Sequence, residues 1–109
     1  MKRKIKDKKI TIMRSIEVED EDGFGTMQKF IPLKGGENIW AYYRHISGKE
    51  FFQAAKLNTK SECIFEINWR KDINTSMRIK YRDELYEICQ IDDFEGYKKD
   101  LKIYAYKIR

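Results

Sequence analysis

The sequence predicts a mostly β protein: a small antiparallel β-barrel or sandwich with one short α-helix at about residues 48–57. Apolar and polar residues alternate in short runs, as they do in strands that turn one face to a core. These runs recur at roughly 8–12-residue spacing and are separated by turn residues, which is typical of small barrels and sandwiches. A chain of 109 residues that is 41% apolar and 14% aromatic can build the core of one domain.

The alternation predicts seven strands within a single domain of residues 10–109, preceded by a basic arm of residues 1–9. Pro32 places the second strand at a sheet edge or ends it, because proline has no amide hydrogen to donate. Gly35 and Gly36 accept the positive φ angles of a tight turn, so we expect a hairpin there. The approximate strand bounds are residues 10–18, 27–33, 38–46, 63–70, 77–81, 85–91 and 101–108.

The pattern changes at Ser47, where the helix is predicted to begin. Ser47 and Glu50 have the spacing of a capping box, in which the serine oxygen accepts from the Glu50 amide and the glutamate reaches back. Apolar and small residues then follow at helical spacing, and Asn58 is suited to a left-handed stop. A long strand therefore leads into one short helix.

Composition excludes several classes of protein. No run approaches the roughly 18 apolar residues of a membrane span, and no signal-peptide pattern is present, so we expect no membrane partner. Cys63 and Cys89 lack metal-ligand spacing and lie in strand segments, which favours two buried free thiols over a disulfide. The formal net charge of +5 is compatible with nucleic-acid binding without requiring it.

No catalytic, cofactor or metal site is predicted. His45 is the only histidine, and at a strand end before a helix cap it is expected to be a surface residue. The chain contains no Gly-x-Ser-x-Gly elbow, phosphate-binding glycine loop or His-Glu-x-x-His helix. We therefore expect a protein without enzymatic activity and without a cofactor.

An acidic loop follows the first strand segment. A calcium site does not fit it, because aligning Gly23 with the invariant glycine of a calcium loop puts Val18 at the first ligand position and Lys29 at the last. A flexible interaction loop or spacer remains, tipped by an aromatic residue. The candidate contact residues are Glu17, Glu19, Asp20, Glu21, Asp22 and Phe24.

Two further groups of residues are candidates for binding. In the basic arm, Lys2, Arg3, Lys4 and Lys6 have the charge to meet phosphates or an acidic partner, and the alternative is a solvated terminus. On the third strand segment, one face carries an aromatic and cationic set that resembles single-stranded nucleic-acid surfaces. Core packing and interface anchoring explain the same aromatics equally well. This second set is Trp40, Tyr42 and Arg44.

Several short pieces follow one another in a fixed order across most of residues 9–108. They are Ile10-Thr11-Ile12 after a basic start, Trp40-Ala41, Ser47-Gly48-Lys49-Glu50 before a small-residue helix, the run 63–70, Met77 to Tyr81, Tyr86-Glu87-Ile88 and an aliphatic last strand. In this order and spacing the chain resembles the head–tail joining proteins of tailed bacteriophages, also called head-closure, stopper or head–tail adaptor proteins. It departs from them at Asn68, where arginine is frequent, and at Arg82-Asp83-Glu84, where glycine is favoured.

The resemblance implies a small β-barrel with one helix and no active site. Family members assemble as a ring under the portal after genome packaging, close the DNA-filled head and provide the docking platform for the tail. The chain is then expected to be a virion protein made in the bacterial cytoplasm, monomeric in isolation and a homo-oligomeric ring in the particle. Its partners would be the portal or adaptor protein above, tail proteins below and packaged DNA in the channel.

By the same resemblance, the loop of residues 17–25 is the candidate for a channel-facing or partner-facing segment. Its acidity suits a channel through which DNA slides, since like charge disfavours phosphate contact. The basic arm would meet the portal or DNA, and the polar loops 71–76 and 92–100 would contact neighbouring subunits or the tail. The alternative function is that of a small β-barrel that binds single-stranded nucleic acid.

Overall fold

The computed structural model of the chain describes residues 4–46 and 61–109, which contain seven strands joined by turns. Every strand pairing is antiparallel, which confirms the predicted mostly β fold. The predicted helix at residues 48–57 and its capping residues lie outside the described residues. The strands are β1 (Lys8–Glu19), β2 (Thr26–Pro32), β3 (Ile39–His45), β4 (Cys63–Asn68), β5 (Arg78–Tyr81), β6 (Glu84–Asp92) and β7 (Asp100–Lys107).

Six of these strands close into a barrel. Their order is β1-β3-β4-β7-β6-β5, and a pairing between β5 and β1 returns the sheet to its start. A closed sheet has no exposed edge, so the barrel avoids the edge-to-edge pairing open to a flat sheet. β2 is the seventh strand and pairs with β1 outside the barrel wall.

The length of β1 produces a projection from the barrel. Residues 8–10 pair with β3 and residues 11–13 with β5, whereas residues 14–19 pair only with β2. Since a strand rises about 3.4 Å per residue, this outer part of β1 extends about 20 Å beyond the barrel. We call residues 13–32 the hairpin arm. The principal extents of the molecule, 56 × 28 × 27 Å, show the elongation.

The turn after the arm is not the predicted hairpin, because β2 and β3 do not pair with each other. Both lie along β1, and the turn between them also bonds to β1: Ile12 N donates to Gly36 O and Leu33 N donates to Ile12 O, each at 2.8 Å. A Cβ atom on Gly36 would lie only 3.2–3.3 Å from Leu33 and Ile12. Gly35 supplies the positive φ of 74°. The two glycines thus let the chain pass close to β1.

The core fills the barrel with the inward residues of each strand. At its centre Phe65 is fully buried and makes aromatic contacts with Tyr43, Tyr81 and Tyr86, with ring centroids 5.1–5.6 Å apart. The other inward residues are aliphatic or sulfur-containing. They include Ile10, Ile12, Ala41, Cys63, Ile67, Met77, Ile79, Ile88, Leu101, Ile103 and Ala105.

β4 is buried on both faces. Ile64 and Glu66 alternate with the core residues and therefore point outward, yet they are 0% and 4% exposed. The Lys4 ammonium lies 3.0 Å from a Glu66 carboxylate oxygen, an ion pair without hydrogen-bond geometry. The N-terminal segment therefore packs over the outside of this strand.

Both cysteines are free thiols, but only Cys63 is fully buried, whereas Cys89 is partly exposed. Cys63 Sγ donates to Ala105 O at 3.5 Å. Burial raises the pKa of the Cys63 thiol to about 12 from its ordinary value near 9. Burial likewise raises the pKa of the Tyr43 and Tyr86 hydroxyls. The interior of the barrel thus favours the neutral form of each group.

Replacing the central ring tests the packing. Phe65→Ala should lower the free energy of unfolding by about 3–5 kcal/mol, since it removes buried contacts and leaves a cavity. Phe24→Ala is the matched control, because its ring is 94% exposed and its loss should change stability by less than about 0.5 kcal/mol. Urea denaturation measures both. Equal losses would contradict the assignment of Phe65 to the core.

Stability should fall in alkali. Above about pH 9 the unfolded chain releases the Cys63 proton while the folded protein keeps it up to about pH 12, so the free energy of unfolding decreases across this window. Denaturation curves at increasing pH measure the slope. Cys63→Ala should make that slope shallower. An unchanged slope in the variant would show that the thiol ionises equally well in the folded protein.

Candidate functional site

The acidic loop predicted from the sequence forms the tip of the hairpin arm. Asp20 N donates to Gly25 O and Gly23 N to Asp20 O, both at 2.9 Å, so the six-residue loop is closed by backbone bonds. Gly23 has a φ of 71°, which suits glycine. All the residues predicted as contacts of the acidic loop, Glu17, Glu19, Asp20, Glu21, Asp22 and Phe24, are exposed. We call residues 19–25 the arm tip.

The arm carries different chemistry on its two faces. The face that continues the core side of β1 bears apolar side chains outside the barrel, and Met27 on it is 54% exposed. On the other face Phe30 is covered by Arg78, whose guanidinium carbon lies 4.1 Å from the ring centroid. The apolar face comprises Ile16, Val18, Met27 and Ile31, with Arg14 and Lys29 among them.

The described part of the basic arm contacts the barrel. Lys4 pairs with Glu66, and the Lys6 ammonium donates to Asn68 Oδ1 at 2.7 Å and pairs with Asp100. Pairing with these side chains reduces the charge that Lys4 and Lys6 offer to an outside phosphate. Lys2 and Arg3, the other two candidates, lie outside the described residues.

The predicted aromatic and cationic face lies on the outside of β3. Trp40 is 55% exposed, and the Lys9 ammonium lies 4.9 Å from its ring centroid. Tyr42 and Arg44 are half-buried on the same face, with Tyr42 opposite Glu66 on β4. The face therefore offers one well-exposed aromatic ring rather than a row of them. It is separated from the arm tip by most of the length of β1.

The structure shows a pocket that the sequence did not predict. It opens at the barrel end where β3, β5 and β7 finish, has a volume of about 320 Å³, and lies opposite the end from which the arm projects. We call it the end pocket. Its buried floor is aromatic and its exposed rim is charged. The defining residues are Tyr43, Tyr81 and Tyr86 on the floor and Arg82, Lys107 and Arg109 on the rim.

The rim cations differ in their partners. Arg109 makes a two-point contact with Glu62, at 2.7 and 3.0 Å, and this contact lowers the pKa of the Glu62 carboxyl. Lys107 pairs with Glu84 at 2.8 Å. Arg82 lies over the Tyr81 ring, 5.1 Å from its centroid, and contacts no carboxylate among residues 4–46 and 61–109. Within the described part of the rim, Arg82 is therefore the cation that can meet an incoming acid.

The floor also has an unsatisfied polar group. The Tyr81 hydroxyl is buried and finds no hydrogen-bond partner within the described part of the chain. The Tyr43 hydroxyl, by contrast, lies 3.2 Å from His45 Nε2. A buried hydroxyl without a partner costs free energy, which an incoming donor or acceptor would recover.

The described residues contain no cluster of three or more His, Cys, Asp or Glu side chains that could hold a metal ion. Within the same ranges, no helix is long and apolar enough to cross a membrane.

Comparison with known proteins gives the chain a family. The profile of the phage head completion protein family matches residues 1–107. No curated protein sequence matches the chain.

Two solved structures share the fold. The solution structure of protein SF1141 from Shigella flexneri 2a is similar with a TM-score of 0.76 and 23% identity, over 98% of this chain and 96% of that one. A chain from the virion of a native gene transfer agent particle is similar with a TM-score of 0.60 and 12% identity, over 97% of this chain and 98% of that one. The family match spans both the barrel and the arm. The chain therefore belongs to the phage head completion protein family and is a structural protein of the phage head.

Proposed function

We propose that this protein assembles as a ring under the portal, closes the DNA-filled head and provides the platform on which the tail docks. The observation that carries the proposal is the match of residues 1–107 to the phage head completion family. In this role the protein acts through the surfaces that contact its neighbours.

The shape of the subunit supports assembly into a ring. A ring requires one face of each subunit to match a different face of the next, so a subunit with two distinct ends is well suited to it. Here the arm projects at one end and the end pocket opens at the other. Ring contacts would order the arm, and the cost of ordering would be offset by the interface. A subunit that is monomeric when dilute and associates at high concentration fits this scheme.

The distribution of charge supports the proposed neighbours. The arm tip is acidic although the chain as a whole has a formal charge of +5. An acidic tip would either repel DNA phosphates in the channel or bind a basic protein surface. The portal or adaptor protein above, the tail proteins below and the packaged DNA are the proposed partners of the ring. The exposed loops at residues 71–76 and 93–99 are further surfaces for these contacts.

Single-stranded nucleic-acid binding is the second candidate function. The observation that favours it is the exposed Trp40 ring beside the Lys9 ammonium, since stacking and a nearby cation together hold unpaired bases. The half-burial of Tyr42 leaves that surface with one exposed ring, which makes it a small stacking platform. Head closure therefore explains more features of the molecule than single-stranded nucleic-acid binding does.

Removal of the gene tests the proposal directly. Particles made without this protein should be tailless heads that have lost their DNA, accompanied by free complete tails, because an unclosed portal neither retains DNA nor offers a docking platform. Electron microscopy of the lysate shows both products. Normal virions would overturn the proposal.

Shortening the arm tests where the function lies. A variant in which Asn-Gly replaces residues 20–25 keeps both strands and should fold with an unchanged barrel, since no core residue is lost. Supplied to particles that lack the wild-type protein, it should fail to restore DNA-filled, tailed virions. The readout is the fraction of complete particles counted by electron microscopy.

Trp40→Ala is the comparison variant for the shortened arm. If the arm is what closes the head, the Trp40→Ala variant should restore complete particles. If instead Trp40→Ala abolishes function and also the binding of a labelled single-stranded oligonucleotide at physiological salt, the nucleic-acid function replaces head closure.

A further inference from the structure

We propose that the arm tip of one copy docks into the end pocket of the next copy, with Phe24 entering the pocket and the acidic residues beside it meeting Arg82 on the rim. The inference rests on the proposed ring and names the contact that joins its subunits. The proposed partner of the arm tip is a second copy of this chain.

The arm tip has the form of a projecting knob. Phe24 is 94% exposed, and aromatic residues are enriched in the cores of protein interfaces. The backbone bonds between Asp20 and Gly25 close the loop that carries this ring. A closed loop presents an aromatic anchor at a smaller entropic cost than an open one.

The end pocket has the form of a matching hole. Its volume of about 320 Å³ lies at the lower end of the roughly 300–1,000 Å³ range of ligand pockets, which suits one aromatic side chain. The tyrosine rings of the floor would pack against Phe24 in the tilted or edge-to-face contacts that aromatic side chains prefer. The buried Tyr81 hydroxyl would gain a hydrogen-bond partner from the backbone or a carboxylate of the tip.

Charge complementarity favours the same pairing. The tip presents Glu19, Asp20, Glu21 and Asp22 around Phe24 without a compensating cation between them in sequence. The rim of the pocket offers Arg82, which contacts no acidic group in the described ranges. Complementary charges at the edge of an aromatic contact fix its register and select the partner.

The direction of β1 means that a contact between the arm tip and the end pocket must join two copies. Its residues 8–10 lie toward the end pocket, and the strand then runs away from the pocket to Glu19 at the tip, about 30 Å further along. The tip of one molecule therefore points away from its own end pocket. Contact between unlike ends of successive copies is heterologous, and such contacts close into rings when the rotation permits.

Photo-crosslinking of the purified protein tests the contact. p-Benzoylphenylalanine is placed at position 24, and unlabelled and ¹⁵N-labelled proteins are mixed at high concentration before irradiation. We expect crosslinked peptides of mixed isotope content that join position 24 to the segments containing Tyr81 or Lys107. No intermolecular product, or products confined to other surfaces, would overturn the inference.

Charge reversal provides a second, quantitative test of the contact. Asp22→Arg and Arg82→Asp should each lower the yield of the intermolecular product about tenfold, and the two together should restore it. Lys34→Asp is the matched control, because this exposed lysine lies in the turn after β2, at the barrel end from which the arm projects, and its reversal changes the net charge by the same amount as Arg82→Asp. Equal losses in all three single variants, or no restoration in the pair, would overturn the contact.

The two proposals fail in distinguishable ways. If the crosslink is absent but particles without the protein are unclosed and tailless, the ring function stands and the joining contact is wrong. If the crosslink and its charge dependence are found but particles without the protein are normal, copies associate through the arm tip and the site of action is not the head–tail junction.

Discussion

The pairing of β1 along both of its edges is the constraint on which the rest of the structure depends. Near its start the strand meets β3 on one edge and β5 on the other, and these two contacts close the barrel. Beyond Met13 it has only β2 as a partner, so the remainder leaves the barrel as the arm. One strand longer than the barrel thus gives the subunit two unlike ends.

Much of the fold was predictable because the two-residue period of a strand is a local property. The alternation located all seven strands of the described chain, and Pro32 correctly indicated an edge strand. The pairing partners are non-local and were harder to infer. The hairpin expected at Gly35 and Gly36 does not form, since the glycines permit close passage along β1 instead. The burial of both faces of β4 was missed because part of its cover, Lys4, is distant in sequence.

The features of the candidate site were likewise predictable only where their signal is local in the sequence. Exposure of the acidic tip was predictable, since charge runs and glycines are visible in the chain. Strand parity alone left open whether Trp40 lies in the core or outside it. The pairing of Lys6 with Asp100 was not predictable, because the two residues meet only when β7 is in place. The end pocket could not be predicted from the sequence for the same reason. Its walls come from five strand ends that are scattered through the sequence, and no single motif marks them.

The arm has a consequence for how the protein changes over evolutionary time. None of its residues beyond Ile12 on β1 or within β2 is fully buried, so the arm has no core of its own. A two-stranded hairpin of this kind is marginal by itself and can open locally while the barrel stays intact. Substitutions in the arm therefore leave the folding of the barrel almost untouched. The surface of the arm can therefore change quickly in a lineage while the packing of the barrel stays nearly constant.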